Sequence, residues 1–175
     1  MSGLTIETLD AEGLEREVER LAEILRACVA AGASVNFVEP FTQADAVRFW
    51  REKTAPAVRD GGRVLLVARD GEDLLGTVQL DLDTPPNQAH RGEVGKLLVH
   101  PEARRRGVAR ALMAALEHEA KARGRTLLTL DTITDSPARP LYRSLGFRTA
   151  GVLPGFSRHP QEDRLEDTEY MFKVI

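Results

Sequence analysis

Apolar residues near the start of the chain recur at helical spacing. After a short alternating segment from Leu4 to Leu9, the residues Leu14, Val18, Leu21, Leu25, Cys28 and Val29 form one stripe, which predicts a strand and then an amphipathic helix. Asp10 stands where an N-cap is expected and Gly32 where a helix stops. A second helix is expected to open at Thr42, with Asp45 completing a capping pair, to bury Val47 and Trp50, and to end before Gly61 and Gly62. Arg63 to Arg69 is apolar enough for a strand, and Asp70-Gly71 is a two-residue turn pair. Beyond it Leu74, Gly76, Val78, Leu80 and Leu82 alternate with Leu75, Thr77, Gln79, Asp81 and Asp83, predicting a hairpin with one wet face.

After a polar loop come a strand from Glu93 to His100, a helix from about Arg106 to Arg123 stopped by Gly124, and a strand over RTLLTLD. A short helix around Ala138 to Leu145, a strand from Phe147 and a closing strand from Thr168 to Lys173 complete the series, while Ser157 to Asp167 reads as a polar loop. The order β-α-α-β-β-β-α-β-α-β-β predicts an α/β fold, with a mixed, mostly antiparallel sheet and helices on both faces. Its 175 residues are expected to form a single domain, residues 1–175.

Composition narrows the chemistry. With 42% hydrophobic and 29% charged residues the chain has the make-up of a water-soluble globular protein, and no apolar run approaches the roughly 20 residues of a membrane span. The opening MSGLTIETLD lacks the progression of an export signal, so a cytoplasmic location is expected. A net charge of −3 argues against general nucleic-acid binding. The single cysteine, Cys28, falls on the helical stripe and reads as core filler, and the four histidines lack the spacing of a metal site.

One basic cluster does change the picture. The strand KLLVH ends at Pro101, and EARRRGVARALMAAL follows, placing Gly107 at the opening turn of a helix. Backbone N–H groups at a helix start lack intrahelical partners and carry the positive end of the dipole, so they bind anions. Gly107 lets a phosphate approach closely and Ala109 keeps that approach clear. Arg104, Arg105, Arg106 and Arg110 add positive charge.

The strand, proline, Arg-x-x-Gly-x-Ala loop and helix together resemble the acetyl-CoA motif of the GNAT superfamily of N-acetyltransferases. SPARPLYRSLGF resembles its second motif. The whole set EVGKLLVHPEARRRGVARALM, LLTLDT, LYRSLGF and AGVLPGFSRHPQ is similar to the tabtoxin-resistance-type branch. The resemblance implies a coenzyme-binding strand splayed from its parallel neighbour, with Leu97, Leu98 and Val99 bonding the pantetheine arm and the N–H of Leu98 as oxyanion donor. Arg104 to Arg110, including Val108, would cradle the pyrophosphate. Tyr142 would lie against the coenzyme and protonate the departing thiolate.

An alkyl ammonium must lose a proton before it can attack, and Glu93 and Asp131 are the expected acceptors of that proton. Simple alternation puts Glu93 on the face of Leu97 and Asp131 on that of Leu127. His90 is a candidate proton relay, and Asn36, Phe37, Phe41 and Phe156 are expected around the acceptor. The implied reaction takes an acetyl group from acetyl-CoA to a small, zwitterionic amine by direct attack, without metal; superfamily relatives are commonly dimers. A non-catalytic acyl-CoA sensor and a protein-acetylating enzyme stay open as alternatives.

Overall fold

The computed structural model describes residues 3–175, so Met1 and Ser2, which open the segment read against an export signal, lie outside the described residues. Strand β1 (Leu4–Leu9) leads into helix α1 (Ala11–Ala30), whose start is fixed by Asp10, its carboxylate accepting from Gly13 N at 2.7 Å. Helix α2 (Gln43–Phe49) opens on the expected Thr42–Asp45 capping box. It continues through a π-helical turn, Trp50–Thr54, into α3 (Ala55–Arg59). Pro56 has no N–H to donate there, and the Ala55 N–H reaches back to Trp50 O instead.

Strands β2 (Arg63–Asp70) and β3 (Asp73–Asp81) form the predicted hairpin. Asp70 pairs with Asp73, so the turn is Gly71-Glu72 rather than Asp70-Gly71, and Gly71 carries the positive φ of 62°. The expected wet face is dry: Thr77 and Gln79 are both buried. Helices α1 to α3 cover that face, and the two polar side chains find partners in Leu66 O (2.9 Å) and Thr54 Oγ1 (3.4 Å).

Strand β4 (Arg91–Val99), helix α4 (Val108–Ala122), strand β5 (Leu127–Ile133), helix α5 (Arg139–Ser144) and strands β6 (Arg148–Arg158) and β7 (Leu165–Val174) follow. Residues 157–167 are thus only partly loop, because long antiparallel pairing of β6 with β7 carries both strands into that segment. The strands form one sheet in the order β1-β2-β3-β4-β5-β7-β6, in which, among the described residues, β4 and β5 are the one parallel pair. Helix α4 packs on one face against Val64, Leu66, Val78, Leu80 and Leu128, and α1 on the other against Leu65, Val67, Leu74 and Leu98. Each fully buried leucine contributes about 2 kcal/mol. This is the mixed, mostly antiparallel α/β architecture expected, with one splayed parallel pair.

Candidate active site

The splay is short to describe. β4 and β5 pair only through Arg91–Leu127, Gly92–Leu128 and Glu93–Thr129, and then separate. β4 keeps its partner β3 on the other edge, but not in simple register: Gly95 pairs with Gln79 and Leu98 with Thr77, so Lys96 and Leu97 together oppose Val78. That is a β-bulge, with Lys96 at φ 49°. Gly76 makes room for it, because a Cβ there would sit 2.6 Å from Leu98 O.

The bulge resets the alternation. Glu93 and Leu97, expected on one face, fall on opposite ones, and Glu93 shares its face with Leu98, whose side chain is buried against α1. Asp131 and Leu127 keep the shared face expected, since β5 pairs with β7 without a shift. The amides are reassigned as well. His100 N donates to Leu75 O on β3 (2.9 Å), which by alternation turns the Leu98 amide to β3 too. The groups facing the gap are then those of Leu97 and Val99, so Leu98 is not the free donor that the resemblance implied. Val99 O is taken by the Cys28 thiol and the Arg104 guanidinium, each at 3.4 Å.

At the open end of the gap, α4 begins two residues later than expected. Gly107 is its N-cap, left-handed at φ 82° and ψ 0°, with no side chain capping the helix. The first backbone bond of the helix is Ala111 N to Gly107 O, so the preceding amides have no partner within it. No acidic residue occupies the first turn, and nothing lies within 4 Å of the position a Cβ on Gly107 would take. Arg105 also has a positive φ, 64°. Around this start, Arg106 bonds Asp70 (2.6 Å) and Arg110 bonds Ser144 Oγ (2.8 Å). Val108 is buried, Ala109 half-buried, and the guanidinium-bearing residues are exposed. The arrangement is an uncapped, electropositive helix start suited to a phosphate.

At the last rung before the gap Glu93 and Thr129 are register partners, and Asp131 follows two residues on along β5. Arg91 holds Glu93 at 2.8 Å and also donates to Thr129 Oγ1. Desolvation, then the charge of Glu93, pushes the Asp131 carboxyl above its usual range, although Lys96 partly offsets them. Tyr142, on α5, is buried edge-on to Phe147 at 5.9 Å; burial and then Asp131 raise its phenol, which stays protonated across the neutral range. The two groups are thus close enough for the Asp131 charge to act on the phenol.

Phe37 and Phe49 lie beside Lys96 of the bulge, with centroids 5.2 Å apart, and the Phe41 ring lies 4.4 Å from that of Phe37. Phe41 also lines a surface hollow with Glu19, Arg20 and Gln43. Asn36 is exposed in the same segment, at φ 75°. Phe156 is exposed on β6 and meets Tyr170 edge-on at 6.0 Å, and Tyr170 is the register partner of Asp131. His90 lies at the closed end of the β4–β5 pair, its carbonyl accepting from Thr126 and Leu127, so it stands on the far side of Glu93 from the splay.

Two residues were missed in the sequence. Lys96 reads there as a strand residue, yet the bulge carries it over the faces of Phe37 and Phe49, its Nζ 5.7 and 5.5 Å from the ring centres. Desolvation lowers its pKa to about 8, with Asp131 opposing the shift. Tyr170 was placed only as part of a closing strand; desolvation and then the charges of Asp131 and Glu93 raise its phenol. Among the described residues no group of three or more His, Cys, Asp or Glu side chains could hold a metal ion, and no helix is long and apolar enough to cross a membrane.

Known proteins share this architecture. The chain is 35% identical over 109 residues to an aminoglycoside N(6')-acetyltransferase type 1 of Klebsiella aerogenes, a match covering 60% of this chain and 69% of the relative. A ribosomal-protein-alanine N-acetyltransferase from Brucella melitensis superposes with a TM-score of 0.79 at 24% identity, over 98% of this chain and 99% of its own. An acetyltransferase, yncA, from Salmonella typhimurium, solved with its cofactor acetyl-CoA, superposes with a TM-score of 0.77 at 18% identity, over 98% and 93%. The model of the acetyltransferase (GNAT) family matches residues 19–147, which span the β4 bulge, the uncapped start of α4 and Tyr142. The chain belongs to the GNAT acetyltransferase family, and it is an acyltransferase of that type.

Proposed function

We propose that this protein moves the acetyl group of acetyl-CoA to the primary amine of a small, amino-acid-like acceptor by direct attack, with residues 1–175 acting as one domain. The observation that supports this most is the gap between β4 and β5, closed by three rungs at one end and meeting the bare start of α4 at the other. A pantetheine arm laid along the free edge of β4 would take the place of the absent strand partner. Its pyrophosphate would then meet the amides after Gly107, with Arg104, Arg105 and Arg110 alongside, and its thioester would reach the bulge.

The chemistry follows from what lines that point. The acceptor arrives as an ammonium, and Asp131, helped or replaced by Glu93, takes its proton. Nitrogen then attacks the thioester carbon, and the amide of Leu97 holds the oxyanion, a contact worth roughly 3 kcal/mol in comparable sites. When the C–S bond breaks, the thiolate takes the proton of Tyr142, and the tyrosinate is reprotonated by the proton that the former amine nitrogen sheds as it becomes a neutral amide. Direct attack is favoured over an acetyl-enzyme because Cys28, the single cysteine, is buried and its thiol is engaged with Val99 O. The amino-acid-like acceptor follows the resemblance to the tabtoxin-resistance type, while the aminoglycoside relative supplies a second acceptor class for testing.

Purified protein incubated with acetyl-CoA and a panel of amino acids, simple amines and an aminoglycoside, with free thiol followed, is the direct test. Release with an amine is expected; none with any amine would leave a coenzyme-binding sensor. In the same assay Tyr142→Phe should lower turnover about 100-fold and leave acetyl-CoA affinity unchanged by calorimetry. Equal loss of both would mean that Tyr142 packs rather than donates.

A further inference from the structure

We propose that Lys96 reads a carboxylate on the acceptor, which makes the preferred acceptor an amino acid or close analogue rather than a simple amine or a polycation. The inference deepens the acceptor reading above and rests on it. Three observations carry it. First, the bulge puts a lysine in the left-handed region, which only glycine enters freely, and in doing so re-aims its side chain over Phe37 and Phe49. Second, the ammonium is left without a counter-ion in contact. No carboxylate of the described residues lies within 4.0 Å of it, Glu93 is committed to Arg91, and Arg63 is committed to Asp81 at 2.5 Å. Asp131 acts on it only across a distance. The aromatic faces hold the charge without neutralising it.

Third, space is kept beside it. Gly95, the residue before, has nothing within 4 Å of where a Cβ would stand. The cleft therefore presents the Asp131 carboxylate on β5 and one unpaired ammonium on β4, the complement of a molecule bearing an ammonium and a carboxylate on one carbon. A polycation would set like charge against Lys96. The lowered proton affinity of the lysine fits the same picture, since an arriving carboxylate would raise it again.

The test compares leucine with isoamylamine, its decarboxylated counterpart, as acceptors for the whole protein and for Lys96→Met and Lys96→Arg. The native protein should favour leucine in kcat/KM by at least about tenfold, the size of a charge-assisted contact. Lys96→Met should abolish the preference by raising KM for leucine about tenfold more than KM for isoamylamine, and Lys96→Arg should retain part of it. A native preference for isoamylamine, or equal losses for both acceptors in both variants, would overturn the role of Lys96 and leave the acetyltransferase reading standing. Failure of every amine to discharge acetyl-CoA would overturn both.

Discussion

Asp131 stands on β5 where loss of water and the nearby charge of Glu93 both favour its protonated form. Its native pKa lies above the unfolded value of about 3.9, so the native state binds more protons in that interval and stability falls as pH rises through it. Above the raised pKa the penalty is fully present. Asp131→Asn should therefore raise the melting temperature at pH 7 while abolishing most amine-dependent thiol release; a lowered melting temperature would show that the carboxylate stabilises the fold. For the native enzyme kcat/KM should fall as pH drops through the raised pKa, because the proposed base must be ionised. At this scale the sequence was readable wherever a residue acts on its own neighbours. Asp10 and the Thr42–Asp45 pair cap helices within three residues, and Gly107 announces its left-handed turn. Lys96 was not readable, since its aim depends on how β4 registers against β3 and only that pairing creates the bulge.

Among the elements, α5 has six residues and needs an anchor to hold Tyr142 in place. Glu169 of β7 supplies it, fully buried and bonded to Arg139 and Thr149, with Arg143 at 3.5 Å. Burial pushes its pKa up, but the bonds from Thr149 and Arg139 outweigh burial and hold it below the usual value. The stabilisation is therefore present above the unfolded pKa and is lost as acid carries the pH down through the native one. Glu169→Gln should destabilise the protein by about 3 kcal/mol at pH 7 in urea melts, and the gap from the native protein should narrow below about pH 4. An unchanged melt would mean that the arginines are held by solvent instead. Elements were legible in number and order. Their extents and wet faces were less so: the hairpin reads as half-exposed because nothing in its alternation reveals that α1 to α3 return to cover it. The end of β6 is polar and reads as loop until β7 pairs with it.

On the scale of the whole molecule, the order of elements implied a mixed sheet, whereas the splay came from family resemblance; no local pattern marks where two parallel strands part. Three rungs join β1 through β4 to β5 through β7. The sheet is thus two stiff leaves sharing a short spine, and the coenzyme would act as the binding that fastens their free margins. Amide hydrogens of Leu97 and Val99 should exchange quickly without coenzyme and slow sharply with it, while Leu66 and Val78, deep in one leaf, should hardly respond. At about 100 times its Kd the coenzyme would add roughly 2.7 kcal/mol of stability, so thermal unfolding should shift upward with it. For such a book, occupancy of the fold line governs mechanical integrity as much as catalysis, and the empty form is the one that proteases should open first, along β4 and β5.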